Sequence, residues 1–458
     1  MRRLAAVVGI LLVAAACTTT ESPQDASSDP AASTAGRDRF PPAPDVPTGP
    51  LDPDVAADLD AIFAAAPTFL DTGAVARVAA SGDARIGWLI SDLLRFFQGE
   101  HRSSLVDAFD ALTGVRITDP FAWGAVTDHL IAWDLPAPPD YVRRKADLFT
   151  DVEPGWEPFF ADEDSDIDWR LISWGGVLID DRELDQADEP CLRGCIPALN
   201  DPEVTDAEGG DWYPDDALVF GLVVGDEARA FPKNIMEVHE MVNGTIGGRR
   251  FAMPYCTLCL SAQAYFTDDV SPDVDIATGS YEFRTSGLLS RSNKVMYEFH
   301  TKSVFDTFTG AAVSGPLLDA AVQLEQLSVV TSTWGEWKQA HPDTTIVAED
   351  GGIGRTYPED PLGGRDDDGP IFPIGDTDPR LGVQDRVLGV ETDDGGAVAF
   401  PVVDLVTQDG PVVHAGVRVV PSAGGYRAET LDGDDLVSHE AFWFAWSQFF
   451  PDTELWTP

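Results

Sequence analysis

The sequence predicts an α+β protein: an N-terminal helical domain of HEAT-like hairpins followed by an internally duplicated, β-rich α+β domain. Three observations predict it. Apolar residues recur at helical spacing from Val55 to Trp133. From Trp169 short β-branched runs between Gly-rich turns replace that period. A tryptophan motif then occurs twice in the second region.

The chain opens with Arg2 and Arg3 ahead of an apolar stretch, Leu4 to Ala16, too short to span a bilayer. It reads as a signal peptide. Ala14-Ala15-Ala16-Cys17 is similar to a lipobox, which makes residues 1–17 a lipoprotein signal with Cys17 as the lipidated residue. Ordinary cleavage beside a stray cysteine is the alternative. Residues 18–50, rich in Ser, Thr, Pro, Ala and Asp, read as a disordered tether. The predicted location is the extracytoplasmic face of the cell membrane, held by a lipid anchor.

Thirty Lys and Arg stand against 78 Asp and Glu, a net charge of −48. Such a field repels nucleic acid and excludes a DNA or RNA role. Asp366-Asp367-Asp368 and Asp432-Gly433-Asp434-Asp435 are acidic runs without EF-hand ligand spacing. A solvated acidic surface explains them.

Residues 51–165 form the predicted helical domain. Asp52-Pro53 supplies a cap and a first-turn proline before Val55, Leu59, Ile62 and Phe63. Asp83 opens a second helix carrying Ile86, Leu89, Ile90, Leu93, Leu94 and Phe97. Leu105 to Leu112 makes a third and Phe121 to Trp133 a fourth. Similar short helices joined by Gly and Pro turns suggest a hairpin array able to bind a protein partner. His101 and His129 are isolated there and read as surface or core residues.

Residues 166–350 and 351–458 are the two predicted halves of the β-rich domain. The first holds Gly221, Ala230-Phe231-Pro232 and Trp334-x-x-Trp337-x-Gln339-x-x-Pro342-Asp343-Thr344. The second holds Gly389, Ala399-Phe400-Pro401 and Trp443-x-x-Trp446-x-Gln448-x-x-Pro451-Asp452-Thr453. Two tryptophans three apart share one helix face, and the proline ends the helix. Between Ala-Phe-Pro and the Trp motif the first half has 101 residues and the second 41. Only the longer insert holds His239, Cys256 and Cys259, so chemistry is sought there.

Ala228-Arg-Ala-Phe-Pro232, Val238-His-Glu-Met-Val-Asn243, Tyr255-Cys-x-x-Cys259, Thr285-Ser-Gly-Leu-Leu289, Ser292-Asn293 and Met296-Tyr297 follow in order. This series resembles the bacterial and archaeal DUF3179 family, whose function is not established. The resemblance covers roughly Trp169 to Val347 and implies an order of motifs rather than an activity. The chain departs from the pattern at Thr257, where the family has proline. It also departs at Glu298-Phe299 and Val304-Phe305, where the family often has Asp-Arg and Leu-Trp. Cys191 and Cys195 lie outside the pattern and read as a local disulfide.

Two thiols two residues apart close on one metal ion or on each other. A helix over Lys233 to Val242 puts His239 and Asn243 on one face and turns Glu240 away. If that face meets the end of the Arg250 to Pro254 strand, Cys256, Cys259 and His239 make a soft site for copper or zinc. Tyr255, Ser261, Ser286, Asn293 and Tyr297 would line it together with Asn243 and Glu240. Leu260 after the second cysteine excludes c-type haem attachment. Ser286 and Ser292 lack a nucleophile elbow, and no phosphate-binding Gly loop occurs. Catalytic residues are unassigned. Thiol–disulfide exchange, with His239 as the activating cation, is the second reading. A non-catalytic envelope scaffold with structural cysteines is the third.

Overall fold

The computed structural model describes residues 40–458 except 184–185, 187–188, 365–368 and 393–394. The signal peptide, Cys17, residues 18–39 of the tether and Asp366-Asp367-Asp368 lie outside the described residues. No helix among the described residues is long and apolar enough to cross a membrane.

Seven helices come first among the described residues. They are α1 (Pro53–Ala65), α2 (Thr72–Ala79), α3 (Gly87–Phe96), α4 (Glu100–Thr113), α5 (Ala122–Trp133), α6 (Tyr141–Val152) and α7 (Glu157–Phe160). Asp52 caps α1, its carboxylate accepting from the Asp54 amide at 2.9 Å, with Pro53 in the first turn. Every residue of α3 from Gly87 to Leu94 is buried. Helix α3 packs on α4, α5 and α6, while α1 packs on α2 and α6. The helices thus gather around one buried member. A HEAT-type array, in which each hairpin meets only its neighbours, does not describe them.

The predicted duplicated α+β domain is also corrected. Among the described residues the β region is a propeller-like arrangement of five small sheets, with short helices between strands. These helices are α8 (Lys233–His239), α9 (Gly315–Asp319), α10 (Trp334–Ala340), α11 (Val402–Leu405) and α12 (Trp443–Phe449). The first sheet orders Ile172–Trp174, Phe283–Ser290, Asn293–Glu298 and Val304–Phe305. It shares an apolar core with the helices through Ile172, Leu288, Val295 and Tyr297. The second sheet centres on the hairpin Met241–Ile246 and Arg249–Cys256, flanked by Ala264–Phe266 and Leu199–Asn200.

The third and fourth sheets account for the repeated motif. In the third, hairpin Leu218–Val224 and Glu227–Pro232 lies between antiparallel Val330–Thr333 and parallel Thr345–Val347. In the fourth, Arg386–Glu391 and Ala397–Pro401 lie between antiparallel Ser438–Phe442 and parallel Glu454–Leu455. Trp337 on α10 donates its indole N–H to Thr344 Oγ1 at 2.9 Å, and Trp446 on α12 donates to Thr453 Oγ1 at 3.0 Å. That bond fixes the spacing from the second Trp to Thr in each motif. Gly221 and Gly389 lie directly against the Trp337 and Trp446 rings, where a Cβ would overlap the indole. The similarity therefore covers two sheets of five. The fifth, Val412–His414, Val417–Ser422, Gly425–Thr430 and Asp435–Leu436, is a plain antiparallel meander.

Candidate functional site

Strand Arg249–Cys256 ends at the first thiol of the Cys-x-x-Cys pair. A 3₁₀ turn, Thr257–Cys259, follows, and Leu260 at φ 48° reverses the chain into Ser261–Ala262. Ser261 pairs in register with Cys256, and Ala262 with Tyr255. The turn brings the two cysteine Cα atoms to 5.3 Å, within the range a disulfide spans. Cys256 and Cys259 are bonded to each other, as are Cys191 and Cys195 at a Cα separation of 5.6 Å. Cys256 is 3% exposed and Cys259 0%, so a partner protein's thiol has no direct approach to either sulfur. The turn packs between sheets, against Phe308, Trp443 and Trp446.

Two oxygen acceptors face the sulfurs. The Ser292 carbonyl oxygen is 3.8 Å from Cys256 Sγ and 3.6 Å from Cys259 Sγ, and Asn293 Oδ1 is 2.9 Å from Cys259 Sγ. The first oxygen comes from the two-residue turn joining Ser290 to Asn293, and the second from Asn293, which opens the next strand. Both central residues, Arg291 (φ 46°) and Ser292 (φ 71°), are left-handed without being glycine, a conformation side chains resist. The amide of Asn293 is oriented by its nitrogen, which donates to Arg291 O at 3.2 Å and to Gln448 Oε1 at 3.4 Å. Gln448, from the second Trp motif, donates in turn to Ile374 O at 2.7 Å.

A buried polar network adjoins the turn. Lys294 Nζ donates to the Glu240 carbonyl at 2.7 Å and to Thr285 Oγ1 at 2.8 Å, and lies 3.5 Å from the Glu240 carboxylate. Burial pulls the Lys294 ammonium down to about 8, against the opposing pull of Glu240. The other Glu240 oxygen accepts from Thr257 Oγ1 at 3.2 Å, and the Glu240 carbonyl accepts from the Tyr255 amide at 2.9 Å. Across the interface Gln263 Nε2 donates to His439 Nε2 at 3.2 Å. Burial pushes His439 down to about 3, so its imidazole is neutral at physiological pH.

His239 is elsewhere, and the predicted ligand set is corrected. Helix α8 stops at His239, not Val242. Glu240 turns left-handed at φ 52°, and Met241–Ile246 leaves as a strand closed by the Gly247-Gly248 turn. Val242, Thr245 and Ile246 suit that strand better than a helix. His239 Nδ1–H donates to the Pro197 carbonyl at 2.8 Å, and Nε2 accepts from the Tyr357 hydroxyl at 2.7 Å. Burial pushes its imidazole down to about 4, with the Pro197 bond acting in the opposite direction. A neutral imidazole with both nitrogens occupied supplies neither a metal bond nor a positive charge to the thiols. Among the described residues no group of three or more His, Cys, Asp or Glu is placed to hold a metal ion.

The predicted lining divides likewise. Asn293, Glu240 and Ser261 do border the cysteine turn. Asn243 instead clamps two sheets, donating to Asn200 Oδ1 and Phe283 O at 2.9 Å each. Tyr255 faces the opposite side of its strand and packs on Phe220. Ser286 donates to Val295 O at 2.6 Å, and Tyr297 donates to Asp180 O at 2.6 Å in the core shared with the helices. Lys294, Gln263 and His439 border the site without having been singled out in the sequence, and Thr257, noted there only as a departure from the family's proline, borders it too. Lys294 directly follows the Ser292-Asn293 motif, which was a usable signal; His439 carried none.

The DUF3179 family model, described as a protein of unknown function, matches residues 193–419. The chain belongs to the DUF3179 family. The DUF3179 match takes in the Cys256–Cys259 turn, Ser292, Asn293 and Lys294, and begins between Cys191 and Cys195. No curated protein and no solved structure matches the chain.

Proposed function

We propose that this DUF3179 protein is a lipid-anchored, extracytoplasmic thiol–disulfide protein in which Cys256 and Cys259 cycle between disulfide and dithiol. One observation carries this reading: the acceptor cage formed by Ser292 O and Asn293 Oδ1. A disulfide has no proton to offer these oxygens, whereas two thiols do. The surroundings therefore suit the reduced pair as well as the oxidised one. Two cysteine pairs at disulfide distance suit an oxidising compartment.

Reduction breaks the Cys256–Cys259 bond, takes up two electrons and two protons, and leaves each thiol facing an oxygen. A small external dithiol supplies the electrons and protons and leaves as its own disulfide. Both sulfurs are buried, which slows the exchange. The copper or zinc reading is not carried forward, because His239 is committed to Pro197 and Tyr357.

The test is equilibration of Cys191→Ser/Cys195→Ser protein in graded ratios of reduced and oxidised dithiothreitol, followed by alkylation and mass measurement. The expected result is one step in which two alkyl groups appear together while the fold is retained. A pair that stays oxidised until the protein unfolds overturns the reading and leaves a structural staple.

A further inference from the structure

The second disulfide stands in different surroundings from the first. Cys191 and Cys195 close the loop Cys191-Leu192-Arg193-Gly194-Cys195, with Cα atoms 5.6 Å apart. Leu192 is 96% exposed, and Arg193 and Gly194 face solvent. Cys191 is half-buried, whereas Cys195 is buried. The pair offers solvent one sulfur and hides the other, unlike Cys256 and Cys259, which are both buried.

Each sulfur also has its own polar neighbour. The Cys195 backbone N–H points at Cys191 Sγ at 3.1 Å. Cys195 Sγ lies 3.5 Å from Asp180 Oδ1, an acceptor for which a disulfide has no proton and a thiol has one. Asp180 is fully buried and paired with Arg182 at 2.6 Å and Arg284 at 3.1 Å, which hold the carboxylate in place.

The loop does not depend on the S–S bond for its position. Gly194 O accepts from the Leu178 amide at 3.2 Å. Arg193 pairs with Glu153, at the end of α6, at 2.7 Å and with Asp181 at 3.2 Å. A cross-link spanning so few residues removes little chain entropy from the unfolded state. Its value as a staple is small, and opening it leaves the other ties of the loop intact.

We propose that Cys191 is a site of reversible modification by a low-molecular-weight thiol, with Cys195 as the buried resolving thiol. The incoming thiolate attacks Cys191 Sγ, the accessible sulfur. A new S–S bond forms there as the Cys191–Cys195 bond breaks, and the electron pair of that bond passes to Cys195. Cys195 takes up the proton that the incoming thiol gave up and donates it to Asp180 Oδ1. One disulfide and one thiol stand on each side of the step, so no oxidant or reductant is consumed. Attack by Cys195 on the modified sulfur reverses it and releases the small thiol. The proposal stands whether or not Cys256 and Cys259 cycle.

The experiment incubates the folded native protein with free cysteine, alkylates it and maps its peptides by mass. A cysteine adduct on Cys191 beside an alkylated Cys195 is expected. Single variants test the asymmetry. With cystine as the probe, Cys195→Ser is expected to gain an adduct at Cys191 about tenfold faster than Cys191→Ser gains one at Cys195. Melting curves and tryptophan fluorescence check that each sample is folded. The Cys256–Cys259 peptide is mapped separately, so opening there is not mistaken for opening here. An adduct on Cys195 of the native protein, or equal rates in the two variants, overturns the proposal. So does a Cys191–Cys195 bond that opens only as the fold is lost.

Discussion

Asn293 Oδ1 lies 2.9 Å from Cys259 Sγ, with its amide nitrogen anchored to Arg291 and to Gln448 of the second Trp motif. A motif in one sheet thus orients an acceptor at a sulfur in another. In the dithiol this oxygen accepts the Cys259 proton. Asn293→Leu removes it and makes the pair harder to reduce. One neutral hydrogen bond is worth about 1 kcal/mol, so the potential falls by about 20 mV. Equilibration against a dithiol buffer measures the shift.

Gly221 and Gly389 are the floor on which Trp337 and Trp446 rest. Gly221→Ala and Gly389→Ala push a methyl group into a buried indole. Each is expected to cost about 1–3 kcal/mol in urea unfolding. The two values should be similar, because the strand order and the Trp–Thr bond are the same in both sheets.

Lys294 is buried and satisfied by Glu240 and Thr285. Lys294→Met strips the donor from the Glu240 carbonyl and leaves its carboxylate without a cation. The expected loss is about 3 kcal/mol, the low end for breaking a buried pair, since Glu240 keeps some exposure. Chemical denaturation measures it.

His239 and His439 are held neutral by burial, at about 4 and about 3 against an ordinary 6.5. Between these values the unfolded chain binds protons that the folded chain refuses. Their contribution is fully present above pH 6.5 and is lost as pH falls toward the folded values. Glu282 and Glu391, raised to about 7 by burial, act in the opposite sense over pH 4.5 to 7. The histidine term is therefore read as a difference. His239→Gln is expected to lose less stability than the native chain between pH 6.5 and 4, by roughly 3 kcal/mol. Melting curves at several pH values check it.

Local patterns were legible in the sequence. The Asp52-Pro53 start of α1, the hydrophobic face of α3, the Trp motifs and the Cys-x-x-Cys turn all rest on neighbours within a few residues. The five separate sheets were not legible, because Val330–Thr333 and Thr345–Val347 join a hairpin about a hundred residues upstream. The site failed at one residue. Glu240 in the left-handed region ends α8 and sends the His239 ring toward Tyr357 rather than the sulfurs. Glutamate carries no sequence signal for that conformation, as glycine would. His439 was hidden for the opposite reason: a lone histidine in a strand gives no spacing to read.

The most direct measurement is the thiol count of natively folded Cys191→Ser/Cys195→Ser protein after equilibration with a strong dithiol reductant, with tryptophan fluorescence recorded on the same sample. Two free thiols at Cys256 and Cys259 beside unchanged native fluorescence is the result predicted here. Thiols that emerge only as the native fluorescence is lost would contradict it.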